Sequence, residues 1–156
     1  MHSVDKFSQL GYKIVLVANK EDYLYLQTLN PNIKITLGGM TRSDSVRNGL
    51  KEVNTKYVLI HDGARPFIDK TVIKKVEASL KKYDAVLVCK PVINTIYTKS
   101  LNVLDRNELL EAETPQAFLT SKIKEAYQSN PTLSLSDDIS MYKLCFKDEM
   151  KPTTIK

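Results

Sequence analysis

The stretch His61-Asp62-Gly63-Ala64-Arg65-Pro66 follows the apolar run Tyr57–Ile60 and carries three kinds of chemistry in six residues. A carboxylate delivered at the end of a strand can hold a divalent cation or a sugar hydroxyl. Gly63 lets the backbone turn sharply or approach a ligand closely. Arg65 offers a planar donor fork that matches phosphate, and Pro66 fixes the exit from the loop. The plain alternative is that Asp62 and Arg65 pair with each other across the loop. A second stretch repeats the arrangement earlier in the chain. Gly38 and Gly39 precede a helix that Thr41 or Ser43 can cap, with Arg42 and Ser45 in its first turn. Free N–H groups at such a helix start favour anions. The loop is compatible with a phosphate or a nucleotide, though it is neither a GxGxxG nor a P-loop. Arginine is scarce. Of 23 basic residues, only Arg42, Arg47, Arg65 and Arg106 are arginines. Three of them lie in or beside segments read here as functional, where a rigid fork matters more than a lysine point charge.

The elements that must carry these residues follow from periodicity. Val4, Phe7 and Leu10 share a helical face that Gly11 ends. Residues 12–18, 56–61 and 85–92 are apolar runs of strand type, the second read as a buried strand, and 32–37 alternates as a short strand does. Helical spacing recurs over 20–29, 41–53 and 69–83, the last with Asp69 as its cap. Strand and helix therefore alternate, which predicts an α/β fold: three layers, a mainly parallel sheet and crossover helices. Ligands of such sheets bind beyond the carboxyl ends of the strands, where Asp62 lies. The rhythm breaks at residue 93. Residues 93–106 read as a hairpin turning at Lys99–Ser100, with too little apolar surface to stand alone. It must pack on something, such as a second copy of the chain. Residues 112–120 read as a strand or an extended loop. Thr120 is expected to cap a helix bearing Ile123, Ala126 and Tyr127. Ser136 is expected to cap the last helix, with Asp137 and Asp138 in its positive first turn and Ile139, Tyr142 and Cys145 facing inward. The end of the chain, from Lys147, reads as frayed.

The bulk numbers bound the rest. A chain of 156 residues suffices for a single domain with a real core, so 1–156 is read as one domain. The net charge of +5 reads as a lysine-rich solvated surface, and no aromatic-rich basic stripe argues for nucleic acid. Cys89 and Cys145 are too few for a disulfide framework and read as small core residues. The longest apolar runs are far too short to span a membrane, and the first residues show no signal pattern, so a cytoplasmic setting is the default.

Five segments occur in order: GGMTRSDSVRNGL, VLIHDGARPF, KPVINTI, LDRNELLEAETPQAF and SDDISM. Together they resemble the 2-C-methyl-D-erythritol 4-phosphate cytidylyltransferase family over nearly the whole chain, from about His2 to Phe146. The resemblance implies a Rossmann-like nucleotidyltransferase domain that dimerises through an exchanged hairpin arm, residues 93–113. It implies a Mg²⁺-dependent reaction of CTP with methylerythritol phosphate that releases pyrophosphate. By the same resemblance Gly39 and Ser45 lie near the cytosine, and Arg42 shapes that loop. Asp62 and Arg65 lie at the ribose and sugar-phosphate site as the catalytic pair, Asp62 also as the metal ligand. Thr95, Thr114 and Ser136 line the acceptor pocket, and Arg106 reaches the partner subunit's site. The sister family that uses ribitol 5-phosphate shares the chemistry. The HDGARPF and LDRNELLEAETPQAF segments favour methylerythritol phosphate.

The resemblance has departures. Family members carry a Gly-rich, Arg- and Lys-containing phosphate loop after a first strand, and a C-terminal segment with a further lysine. Neither has a counterpart here, and Asn94 and Ser136 replace the usual Asp and frequent Thr. The expectation is a fragment, or a chain renumbered from a longer one, with little activity by itself or with binding or dimerisation alone. Neighbours of a missing central strand would expose unpaired edges.

Overall fold

The structure is a computed structural model, and it describes residues 2–29 and 32–147. Helix α1 (His2–Gln9) ends at Gly11, whose φ of +80° lies in the left-handed region that glycine enters without a Cβ clash. Strand β1 (Val15–Ala18), helix α2 (Tyr23–Leu29), strand β2 (Lys34–Leu37) and helix α3 (Arg42–Lys51) follow. Next come β3 (Tyr57–Ile60), α4 (Lys70–Leu80) and β4 (Ala85–Pro91). The hairpin is β5 (Ile96–Tyr97) and β6 (Val103–Leu104), joined by a short 3₁₀ turn, Arg106–Glu108, to the long strand β7 (Leu110–Leu119). Helices α5 (Thr120–Ser129) and α6 (Asp138–Cys145) complete the described chain.

Strands β1 and β2 pair in parallel. Strands β3 and β4 run in the same direction, as a crossover through α4 requires, yet they do not pair with each other. Strand β7 lies between them and is antiparallel to both. Period-2 alternation then divides the core. Phe118 and Ala85 pack with Leu50, Ile123, Tyr127, Met141 and Tyr142 under α3, α5 and α6. Ala117, Val86 and Val88 pack with Val76 and Leu80 of α4 on the other face. The result is a helix–sheet–helix α/β architecture.

Pro115 lies in a central strand although proline cannot donate to a ladder. The register explains it. Pairing with β3 begins only at Gln116, opposite Ile60, and pairing with β4 is irregular between Val86 and Val88. Pro115 sits where neither neighbour needs its N–H. This interruption is also where the chain beyond β3 is released.

Several local expectations are corrected. Strand β3 is half-buried at all four positions rather than buried, because it pairs on one side only among the described residues. Thr120 does not cap α5: the cap position is Leu119, and the Thr120 hydroxyl has no partner. Asp137, not Ser136, caps α6 by accepting from the Ser140 amide. Cys145 is exposed whereas Cys89 is buried. The inward face of α6 is Asp138, Ile139, Met141 and Tyr142. Thr41 and Asp69 cap α3 and α4 as expected, Thr41 in a reciprocal capping box with Asp44. Residues 110–113, grouped with the arm by sequence, form the first part of β7 and pair with β4. Of the segment read as frayed, residues 148–156 lie outside the described residues.

Candidate active site

The loops after β2 and β3 meet beyond the ends of their strands. In the first, the Gly39 amide donates to Ser45 Oγ at 3.1 Å, and the Ser45 hydroxyl in turn donates to the Thr41 carbonyl at 3.0 Å. A Cβ on Gly39 would overlap Asp44, so the loop folds tightly onto the first turn of α3 only because that residue is glycine. Thr41 donates to Asp44 and holds that carboxyl below its usual range, with Arg47 adding to the effect.

Arg42 projects from this turn and joins the second loop to the core. Its Nη2 and Nε donate to Asp62 Oδ1 at 3.2 and 3.4 Å. Its Nη1 and Nη2 fork onto Asp138 Oδ1 and Oδ2 at 3.2 and 2.7 Å. Asp138 is fully buried, 0% exposed. It also accepts from Tyr127 Oη at 2.6 Å. Gln116, itself buried, accepts from the amides of Asp138 and Ile139 at 3.0 and 2.9 Å and donates to Asp137. Burial would draw the Arg42 guanidinium down, but the hydrogen bonds and charge of Asp138, joined by those of Asp62, outweigh it and hold the proton more firmly than usual. Burial pushes the Tyr127 phenol up, and the Asp138 charge adds to it, so Tyr127 is a permanent donor.

Asp62 is fixed from behind as well. Its amide donates to Thr114 Oγ1 at 3.2 Å, which lies 3.0 Å from His61 Nδ1. His61 Nε2 faces the Arg65 carbonyl at 2.9 Å. A carbonyl can only accept, so Nε2 carries the proton and, in the neutral ring, Nδ1 accepts from Thr114. Burial lowers the His61 pKa, which favours that neutral ring. From α1, Phe7 packs edge-on against His61 and Lys6 donates to the Ile68 carbonyl, which braces the loop from its outer side.

The expected pair of Asp62 and Arg65 is present but loose: Arg65 Nε lies 3.8 Å from Asp62 Oδ2, and Nη1 lies 3.8 Å from Glu113. The close cation of Asp62 is Arg42. Gly39, Arg42, Ser45, Asp62, Arg65 and Thr114 are thus gathered at one place. Ser136 is exposed, two residues before Asp138. Thr95 and Arg106 belong to the arm, and Arg106 donates to the Ile93 carbonyl at 2.7 Å. Arg47 spends its fork on Asp44 and on the carbonyls of Asn130 and Leu133, joining α3 to the loop before α6. Sequence reasoning missed Asp138, Tyr127 and Gln116 as parts of this site. The signal was available for Asp138, which shares the helical face of Met141 and Tyr142 and so had to be buried.

The protein-family model described as IspD: 2-C-methyl-D-erythritol 4-phosphate cytidylyltransferase matches residues 1–150. The chain belongs to this family. It is 39% identical over 125 residues to the 2-C-methyl-D-erythritol 4-phosphate cytidylyltransferase of Clostridioides difficile, a match that covers 74% of this chain and 53% of that protein. It is 38% identical over 152 residues to a bifunctional enzyme IspD/IspF of Pelagibacter ubique, covering 91% of this chain and 40% of that protein. Among solved structures, the 4-diphosphocytidyl-2C-methyl-D-erythritol synthase of Anaerococcus prevotii superposes with a TM-score of 0.87 at 26% identity, covering 99% of this chain and 77% of that one. The chain therefore spans roughly half, or less, of the length of these sequence relatives. The fold is that of the family's Rossmann-like nucleotidyltransferase domain.

Proposed function

We propose that this chain carries the nucleotide and acceptor site of a cytidylyltransferase that joins CTP to 2-C-methyl-D-erythritol 4-phosphate and releases pyrophosphate, in isoprenoid biosynthesis. The observation that carries the reading is the meeting of Gly39, Arg42, Asp62 and Thr114 beyond the ends of β2 and β3, in a chain of this family. In the reaction an acceptor phosphate oxygen forms a bond to the α-phosphorus of CTP, and the bond to the β-phosphate bridging oxygen breaks. Both partners are anionic, so the protein's work is alignment and neutralisation. The Gly38–Gly39 loop, braced by Ser45, presents backbone to the cytosine. Asp62 takes the ribose hydroxyls through an oxygen that Arg42 leaves open. Arg65, held only loosely, is free to turn its fork to the acceptor phosphate, and the Thr114 and Ser136 hydroxyls border that phosphate's pocket.

Among the described residues no three His, Cys, Asp or Glu side chains gather as a metal cluster. Asp62 can supply one ligand oxygen, which fits a Mg²⁺ ion held chiefly by the triphosphate and water rather than a protein cage. Such an ion supplies charge neutralisation at the phosphates. The arm completes the reading. Ile93, Tyr97, Leu101 and Val103 are each more than half exposed. A second copy of the chain exchanging this arm would cover them and bring Thr95 and Arg106 to the partner's acceptor pocket. No described helix is long and apolar enough to cross a membrane. A nucleotide substrate suits a cytoplasmic setting.

The test is to incubate the 156-residue chain with CTP, Mg²⁺ and methylerythritol phosphate, and to follow both nucleotide binding and pyrophosphate. Micromolar-range CTP binding that Asp62→Asn weakens is expected, with pyrophosphate formed at most slowly, and from methylerythritol phosphate in preference to ribitol 5-phosphate. A chain that binds no CTP overturns the proposal.

A further inference from the structure

Arg42 divides its donors unequally. It has five N–H groups, of which four are placed. Two fork onto Asp138, the shorter at 2.7 Å, and two reach Asp62 Oδ1 at 3.2 and 3.4 Å. The short side points inward, to a carboxylate with no solvent exposure that is further fixed by Tyr127 and by its own backbone bond to Gln116. The long side points outward, to a carboxylate whose side chain is 39% exposed. An isolated Arg–Asp pair would be neutral. This arrangement of one guanidinium and two carboxylates keeps a net negative charge, and the exposed member is the one placed to show it to a ligand.

We propose that Asp138 is a positioning residue: it takes the strong side of the Arg42 guanidinium, so that Arg42 orients Asp62 without cancelling its charge. The inference rests on the reading of Asp62 as a ligand-binding carboxylate. Its physical basis is competition for one cation. Without the Asp138 charge, Arg42 swings onto Asp62 and closes into a neutral bidentate pair, the geometry arginine and carboxylate prefer. Asp62 would then have to surrender that partner before it could accept a ribose hydroxyl or a cation. The buried carboxylate, which costs desolvation and is a poor device for stability alone, acquires a reason for its place.

Two measurements on the full chain test this. The first needs no ligand. The chain has only four arginines, so the Arg42 Nε–H resonance can be assigned by substitution. In Asp138→Asn this resonance is expected to move and its exchange with water to change several-fold, while that of Arg106, which is bonded to the Ile93 carbonyl in the arm, stays put. An unmoved Arg42 signal overturns the proposal whether or not the chain binds nucleotide. The second is a double-mutant cycle on CTP–Mg²⁺ affinity. Asp138→Asn alone is expected to weaken binding about tenfold, and less than about twofold when Asp62→Asn is already present, because Asp138 acts through Asp62. Equal losses in both backgrounds mean a merely structural role and overturn the inference. If Asp138→Asn fails to fold, Tyr127→Phe keeps the charge and removes one donor. The same pattern is expected from it at about two- to threefold. A chain that binds no CTP refutes the functional reading, and the resonance of Arg42 still decides this one.

Discussion

Strand β7 joins two regions that break the usual rule of burial in opposite ways. Its second half leads into the core, where Gln116 and Asp138 are buried polar groups among Phe118, Met141 and Tyr142. Its first half emerges from the arm, where Ile93, Tyr97, Leu101 and Val103 are apolar groups in water. These two buried side chains are each satisfied. Asp138 has Arg42 and Tyr127, and Gln116 has two amides and Asp137. The exposed apolar groups have no such compensation among the described residues. A satisfied network carries its own explanation in the fold that surrounds it, whereas an exposed apolar hairpin points outward to whatever covers it.

The sharpest way to break the contrast is to remove the cation. Arg42→Ala leaves the Asp138 carboxylate buried with the Tyr127 phenol as its remaining side-chain partner among the described residues, and about 3–5 kcal/mol of unfolding free energy is expected to go with it. Denaturant unfolding with the slope unchanged would measure this. A loss below about 1 kcal/mol, the scale of a surface pair, would show that Asp138 is not held as described. Next in size is Gly39→Ala. The added methyl must displace either the loop or the first turn of α3, and a cost of about 1–3 kcal/mol is expected. Weaker CTP binding should accompany it. An alanine variant with native stability and affinity would mean the loop has room that its geometry denies.

How far this contrast was legible in the sequence differs between the two regions. The elements up to β4 were readable because each is local: a period of 3.6 or 2, a cap, a glycine stop. The hairpin was readable for the same reason, from its spacing and turn. Strand β7 was only half legible. Pro115 and the polar Glu111, Glu113 and Gln116 speak against a central strand, and only the register, with its interruption beside Val86–Val88, shows why they are tolerated. The pairing of Asp62 with Arg65 was legible because they are three residues apart. Its closer pairing with Arg42, 20 residues away, and the link from there to Asp138, 96 residues away, depend on how the loops and α6 meet. No local pattern encodes that.

A gentler probe uses pH. Burial depresses the His61 pKa, so the folded ring stays neutral where the unfolded one gains a proton. The unfolded state therefore binds more protons as pH falls below about 6.5, and stability should decline from there down to the folded pKa and then level off. The lowered carboxyls of Asp44 and Asp69 also lose stability on acidification, but only near and below the ordinary aspartate range, so the two windows separate. Melting temperature followed from pH 8 to 5 should fall in the native chain and fall less in His61→Gln. Parallel curves for the two would remove His61 from the account of how Thr114 and the Asp62 loop are held.

The smallest expected effects test the other side of the contrast. Tyr97→Ser and Val103→Ser lie on the exposed arm and should change unfolding free energy of the single chain by no more than about 0.5 kcal/mol each. In sedimentation they should shift any dimer toward monomer. Leu101 sharpens the point. It is 80% exposed with φ of +63°, in the left-handed region that leucine enters at a cost of about 1 kcal/mol. Its amide donates to the Thr98 carbonyl at 2.9 Å, and Thr98 in turn bonds back to Asn102, so the hairpin needs this backbone shape but not this side chain. Leu101→Gly should therefore leave the isolated chain as stable or slightly more so. If it nevertheless weakens self-association, the leucine is kept for what it touches on a second copy. If association is untouched, the arm's apolar surface does its work without Leu101, and the face to examine is that of Tyr97 and Val103.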